Sequence, residues 1–72
     1  MSETVDARGL SCPQPVLMAT ETMKRMGRGE IVVLVDTQTS MENVDRAVRS
    51  QGWEVREIRE EGDELHLYIA GE

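Results

Sequence analysis

The run EIVVLV, residues 30–35, is almost continuous in β-branched side chains, too short for a helix, and apolar on both faces that a strand would present. Such a segment suits a central strand, with a neighbour on each side and a layer packed over it. The rest of the chain supplies those neighbours. Upstream, ETVDA, residues 3–7, is a short candidate strand. From Pro13 to Met26 the apolar residues Val16, Ala19, Met23 and Met26 recur at helical spacing. Lys24, Arg25 and Arg28 crowd the end where cations suit the helix dipole, and Gly27 and Gly29 supply the stop. Downstream, the turn DTQTS leads to a second helix of about three turns, with Thr39 and Glu42 at capping-box spacing and Gly52 as its stop. Met41, Val44, Ala47 and Val48 form its apolar stripe. WEVREIRE, residues 53–60, and ELHLYIA, residues 64–70, flank EGD and read as a closing β-hairpin.

The order βαβαββ predicts an α/β (α+β) two-layer sandwich with a four-stranded mixed sheet. Strands one and two run parallel through a right-handed crossover, and both helices cover one face. With 72 residues the chain reads as one domain, residues 1–72, small enough that folding buries only roughly 60% of the unfolded surface. No deep enclosed cavity is expected. In the last strand Leu65, Leu67 and Ile69 face the helices, and Glu64, His66 and Tyr68 take the open face. Trp53, Val55 and Ile58 break strict alternation, which places a bulge near Arg56 and Glu57.

Composition removes several classes of function. A single Cys forbids an internal disulfide and points to a reducing, cytoplasmic setting. The start MSETVDA has neither the basic residues nor the apolar stretch of a signal peptide, and nothing approaches the ~20 apolar residues of a membrane span. A net charge of −6 argues against direct nucleic-acid binding, which needs a basic face. The acidic excess lies in residues 37–72, with nine acids against four bases, while residues 1–36 hold five against four. One Cys and one His are too few for a metal site of the usual kind, and no phosphate loop, nucleophile elbow or cofactor motif is present.

The chemistry-bearing stretch is DARGLSCPQP, residues 6–15. With Cys12 just before a helix, Pro13 falls at the first helical position, where its missing N–H is an orphan anyway, and Pro15 is still in the first turn. Both prolines fix where the helix starts and stiffen the backbone carrying the sulfur. A thiol at a helix N-terminus meets the positive end of the dipole, which favours the nucleophilic thiolate. A lone Cys is also often an inert, buried small hydrophobe, and position by itself leaves both readings open.

Asp6, Gly9, Cys12, Pro13 and Pro15 together resemble the DxxGxxCPxP signature of the TusA-like (SirA-like) sulfur carriers, a resemblance that continues through VLMATETMKRM and, with the predicted element order, covers nearly the whole chain. It implies a sulfurtransferase-type carrier in which Cys12 accepts sulfur as a persulfide and yields it to an acceptor protein. The donor would be a cysteine desulfurase or a rhodanese-like protein. Gln14 stands where many members have Glu, and VDTQTSMENVDRAVRSQGWEV looks more like the branch associated with selenium metabolism than like the carriers of tRNA thiolation. Two readings from other classes stand beside this one: a non-catalytic interaction module using the open face around His66 and Tyr68, and a monothiol redox protein.

The remaining polar residues have plainer expected roles. Asp6 is expected to accept loop N–H groups, since a carboxylate beside a thiol would raise its pKa. Arg8 is either an attractor of a persulfide anion or a partner's carboxylate, or a solvated side chain. His66, mid-strand and on the open face, is expected away from the thiol. Met18, Met23 and Met26 read as core filler. The acidic group Glu57, Glu60, Glu61, Asp63 and Glu64 reads as a solvated hairpin able to steer a basic partner. An uncovered sheet face is compatible with a monomer or with pairing.

Overall fold

The computed structural model describes residues 2–10 and 14–71. These form β1 (Ser2–Asp6), α1 (Gln14–Met26), β2 (Gly29–Val35), α2 (Gln38–Ser50), β3 (Glu54–Glu61) and β4 (Glu64–Gly71). The sheet order is β1-β2-β4-β3, with β1 parallel to β2 and the other pairings antiparallel. The predicted fold class is therefore the one observed: βαβαββ, with a four-stranded mixed sheet. The apolar run of residues 30–35 is central, and its alternation decides the layers. Ile31, Val33 and Val35 are buried towards the helices, while Val32 and Leu34 are half-buried on the open face.

On β4, Leu67 and Ile69 are buried and Leu65 packs against the core, opposite the open-face residues His66 and Tyr68. The Arg59 guanidinium lies over the Tyr68 ring, 5.8 Å from its centroid, so a charged edge residue covers part of that face. The register of β3 against β4 shifts between Val55 and Glu57. Arg56 is the extra residue that lets both Val55 and Ile58 point to the helix side despite their odd spacing.

The buried face of α1 is Pro15, Ala19, Thr22 and Met23, with Val16, Met18 and Met26 packed beside it. Thr22 is tolerated there because its hydroxyl donates to the Met18 carbonyl at 2.9 Å. Helix α2 starts earlier than the spacing of Thr39 and Glu42 predicts. Thr37 is the N-cap: its backbone is extended (φ −138°, ψ 152°) and its Oγ1 accepts the Ser40 N–H at 3.0 Å. Starting there adds Ser40 to a buried stripe with Val44 and Val48, each four residues apart, and leaves Thr39 exposed inside the first turn. The far end matches the glycine stop. Gly52 has φ +82° and donates to the Arg49 carbonyl, while the Trp53 N–H reaches the Val48 carbonyl at 3.1 Å. Trp53 then folds back over Gly71, where a β-carbon would collide with the indole.

Candidate functional site

β1 and β2 run parallel and finish at the same end of the sheet, each with the dipeptide Val-Asp. Val5 and Val35 are buried, and the aspartates Asp6 and Asp36 follow at the surface. From Asp6 the chain runs through Ala7, Arg8, Gly9 and Leu10 towards Cys12. Cys12 and Pro13 lie outside the described residues, so the helix start expected at Pro13 is described from Gln14 onward.

Three consecutive N–H groups of this connection have acceptors, two of them at or just past the end of β2 and one in Asp6. Ala7 is fully buried and donates to the Leu34 carbonyl at 2.9 Å, extending the parallel ladder by one bond. The Arg8 N–H donates to Asp6 Oδ1 at 3.2 Å, and the Gly9 N–H donates to Asp36 Oδ2 at 2.7 Å. Gly9 has φ +77°, a left-handed backbone that suits glycine.

The Arg8 side chain is a bridge rather than a free cation. Its Nε and one terminal nitrogen donate to the two oxygens of Asp6 at 2.8 and 2.7 Å, and its other terminal nitrogen donates to Glu64 Oε2 at 2.6 Å. Glu64 opens β4, and its second oxygen lies 3.0 Å from His66 Nε2. The hydrogen bonds from the Arg8 guanidinium, and then from its backbone N–H, hold the Asp6 carboxyl down at about 2 from an ordinary 3.8. Glu64 is lowered by His66 first and Arg8 second, and Arg8 is raised chiefly by Asp6. Two carboxylates against one guanidinium leave this group net negative, which disfavours the anion-attracting reading of Arg8. Asp6, Arg8, Gly9, Asp36, Asp63 and Glu64 line a shallow, open depression of about 420 Å³ beside the connection. Among the described residues no cluster of His, Asp or Glu has metal-binding geometry.

On the helix side of Cys12, Gln14 is exposed and the Pro15 ring is fully buried, so Pro15 belongs to the core as well as to the helix start. The first turn of α1 holds no acidic residue. Leu10 and Leu17, on either side of the cysteine in the chain, are 38% and 55% exposed. His66 sits on the open face with Glu64, and Met23 is buried in the core, against which Met18 and Met26 pack. Sequence reading missed Asp36 and Glu64 as holders of the connection. The repeated Val-Asp at the ends of the two parallel strands is the signal that could have found the first.

Comparison with known proteins agrees with this architecture. The family described as sulfurtransferase TusA matches residues 3–71. The sulfur carrier protein TusA of Allochromatium vinosum is 34% identical over 68 residues, covering 93% of this chain and 90% of that protein. A putative sulfur carrier protein of Thermotoga maritima is 37% identical over 71 residues, covering 96% and 90%. The crystal structure of a SirA-like protein from Desulfitobacterium hafniense superposes with a TM-score of 0.88 at 28% identity, covering 96% of each chain. A match of this extent, on a βαβαββ sandwich of the same shape, shows that the chain belongs to the TusA family of sulfur carriers.

Proposed function

We propose that the chain is a single cytoplasmic sulfur-carrier domain that accepts a terminal sulfur on Cys12, holds it as a persulfide, and passes it to an acceptor protein. The observation that carries this reading is where the cysteine lies in the chain: it joins an anchored strand exit to the N-terminus of a helix whose first turn holds no acid. That setting favours a thiolate. The Cys12 thiolate attacks the outer sulfur of a donor persulfide, the S–S bond of the donor breaks, and the donor leaves as its own thiolate. The reaction is an exchange with no net oxidation. In the second step an acceptor thiolate attacks the outer sulfur of Cys12–S–SH, and Cys12 leaves. A low thiol pKa helps the second step, because the weaker base is the better leaving group.

The donor is a cysteine desulfurase or rhodanese-like protein, and the cargo is sulfur, or selenium in the related branch. Exposed Leu10 and Leu17 give such a partner apolar contacts close to the cysteine in the chain. A cytoplasmic setting fits the single Cys, and neither described helix is long and apolar enough to cross a membrane. The family's carriers act through proteins, and with a net charge of −6 no direct contact with nucleic acid is proposed.

The test uses sulfur-labelled persulfide on a cysteine desulfurase. Wild-type protein should take up the label in a form released by a reducing thiol. Cys12→Ser should take up none while folding normally, since serine is a favoured N-cap and its hydroxyl forms no stable persulfide. An unlabelled wild type with every donor class, or a Cys12→Ser variant that fully complements a deletion strain, would return the interaction-module reading. Recovery of the native protein with an added small thiol instead of sulfur would favour the redox reading.

A further inference from the structure

We propose that the open face of the sheet is a docking surface for a basic protein segment, an extended stretch in which Lys or Arg side chains flank apolar ones. Docking there is independent of whether Cys12 carries sulfur. The strand registers align three rows across the face: Ser2, Glu30, Ala70 and Glu54; Thr4, Val32, Tyr68 and Glu57; and Asp6, Leu34, His66 and Arg59. A sheet face turned to water presents polar side chains outward. Here the outward positions of the two central strands include Val32, Leu34, Tyr68 and Ala70, all half-buried, while every outward position in these rows on the edge strands β1 and β3 is polar. An apolar centre inside a polar rim is the anatomy of a protein interface.

Charge selects the occupant. Six carboxylates, those of Asp6, Glu30, Glu54, Glu57, Glu61 and Glu64, stand on this side against the guanidiniums of Arg8, Arg56 and Arg59, a net of −3. The two helices on the other side carry three acids and four bases, a net of +1. Each of the three guanidiniums is already paired with a carboxylate of the same face, whereas Glu30 and Glu61 have no cation partner among the described residues. The face also seats one cation of its own: the Arg59 guanidinium lies 5.8 Å from the Tyr68 ring centroid, with its Nε 2.7 Å from Glu57. Beside it a groove of about 280 Å³, lined by Ser2, Glu30, Val32, Arg56 and Tyr68, crosses all four strands. An apolar side chain fills that groove against Val32 and Tyr68, and a Lys or Arg next to it meets Glu30.

A second copy of the chain is the poorer occupant. Two such faces laid on each other bring together surfaces of −3, and like charges across an interface are costly. The helix layer of another copy, at +1, offers little charge to match the face. A basic segment meets both requirements at once, apolar contact at the centre and cations for the rim. Four strands spaced about 4.8 Å apart present a width of roughly 15 Å, which about five extended residues cross.

The probe is a capped peptide, Gly-Arg-Leu-Lys-Leu-Arg-Gly, titrated into the labelled protein and followed by amide NMR. Two comparison peptides replace its leucines by Ser or its cations by Glu. The basic apolar peptide should shift the amides of β2 and β4 and leave those of α1 and α2 in place. The Ser peptide should bind at least about tenfold more weakly, because the leucines no longer bury apolar surface, and the Glu peptide should not bind. Tyr68→Thr should cost about tenfold in affinity and Glu30→Gln about threefold. Glu42→Gln, the same change of charge on exposed α2, should stay within about 1.5-fold of wild type. If Tyr68→Thr loses its cooperative melt, the contrast between Glu30→Gln and Glu42→Gln decides. Absence of binding overturns the proposal. So do shifts spread over the helices, equal binding of the Ser peptide, or equal losses in Glu30→Gln and Glu42→Gln, each of which reduces the effect to net charge. Sedimentation equilibrium of the protein without peptide supplies the last arm: a monomer is expected, and a dimer abolished by Tyr68→Thr would assign the face to a second copy and overturn the proposal.

Discussion

The two parallel strands leave the sheet side by side and enter their helices in very different ways. The exit of β2 is residues 36–37, and it is closed locally: Thr37 caps α2 with its own hydroxyl. The exit of β1 is residues 7–13, and its described part is held from a distance by Leu34 of β2, by Asp36 just past β2 and, through Arg8, by Glu64 of β4. Minimal chain suffices to turn a strand into a helix in this fold. The described residues of the first exit do little for the core beyond buried Ala7, since Arg8, Gly9 and Leu10 are all exposed. Its described part is tied down by the side chains of Asp6, Asp36 and Glu64. The cysteine is in that connection. The short exit carries no comparable group.

The sharpest way to break this contrast is at Pro15, where the long exit meets the core. Its ring is fully buried, so Pro15→Ala removes two buried methylenes and adds freedom to the unfolded chain, a cost of about 2 kcal/mol. Urea unfolding should show a lower midpoint with an unchanged slope. Sulfur transfer at low temperature should slow as well, because the helix end of the cysteine bridge is loosened. A variant that loses stability and keeps its transfer rate would make the proline a core residue only.

A matched pair of substitutions sharpens the same contrast. Gly9→Ala meets no atom within 4 Å, so its cost is the left-handed backbone by itself, about 1–2 kcal/mol. Thr37→Ala loses the cap of α2 and costs about 1 kcal/mol. The stability effects are close, but the functional ones should separate: Gly9→Ala disturbs Cys12 alkylation and Thr37→Ala leaves it at the wild-type rate. Equal effects on alkylation would mean that the cap of α2 matters to the cysteine as much as the turn at Gly9 does.

Much of this was legible before any coordinates, and the reasons are local. Residues 30–35 could be nothing but a buried strand, the i, i+4 pattern of α1 has one reading, and the odd spacing of Val55 and Ile58 required an extra residue between them. Helix α2 was misplaced at its start because Thr37 and Thr39 are both good caps, and the choice between them is made by the sheet, which buries Ser40, Val44 and Val48 together. The residues that hold the long exit were hidden for the opposite reason. Asp36 reaches Gly9 across 27 positions, a contact that needs β1 and β2 paired, and Arg8 reaches Glu64 across 56, a contact that also needs β4 beside β2. Local pattern cannot report a bond that depends on strand order.

The smallest effect concerns the ion pairs at the surface of the long exit. In the folded chain the Asp6 carboxyl is held at about 2, against 3.8 without its partners, by the guanidinium and then the N–H of Arg8. A depressed carboxyl pKa favours folding wherever Asp6 is ionised in both states, so this contribution is fully present above about pH 4 and is lost as the pH falls through about 2. Asp6 is fully exposed, so solvent screening keeps its share of stability small, and a melt is the wrong instrument. The carboxyl carbon of Asp6, followed by NMR through an acid titration, reads it directly. Wild type should show a midpoint near 2, and Arg8→Ala should move it back towards 3.8. Arg8→Lys should fall between, because a single ammonium cannot donate to both oxygens from the side as the planar guanidinium does. Throughout, the Gly9 amide should stay protected in Arg8→Ala, since its acceptor is Asp36 and not Asp6. Loss of that protection would show that the connection is held as one network by Arg8, and would move the anchor of the long exit from β2 to the Asp6–Arg8–Glu64 bridge.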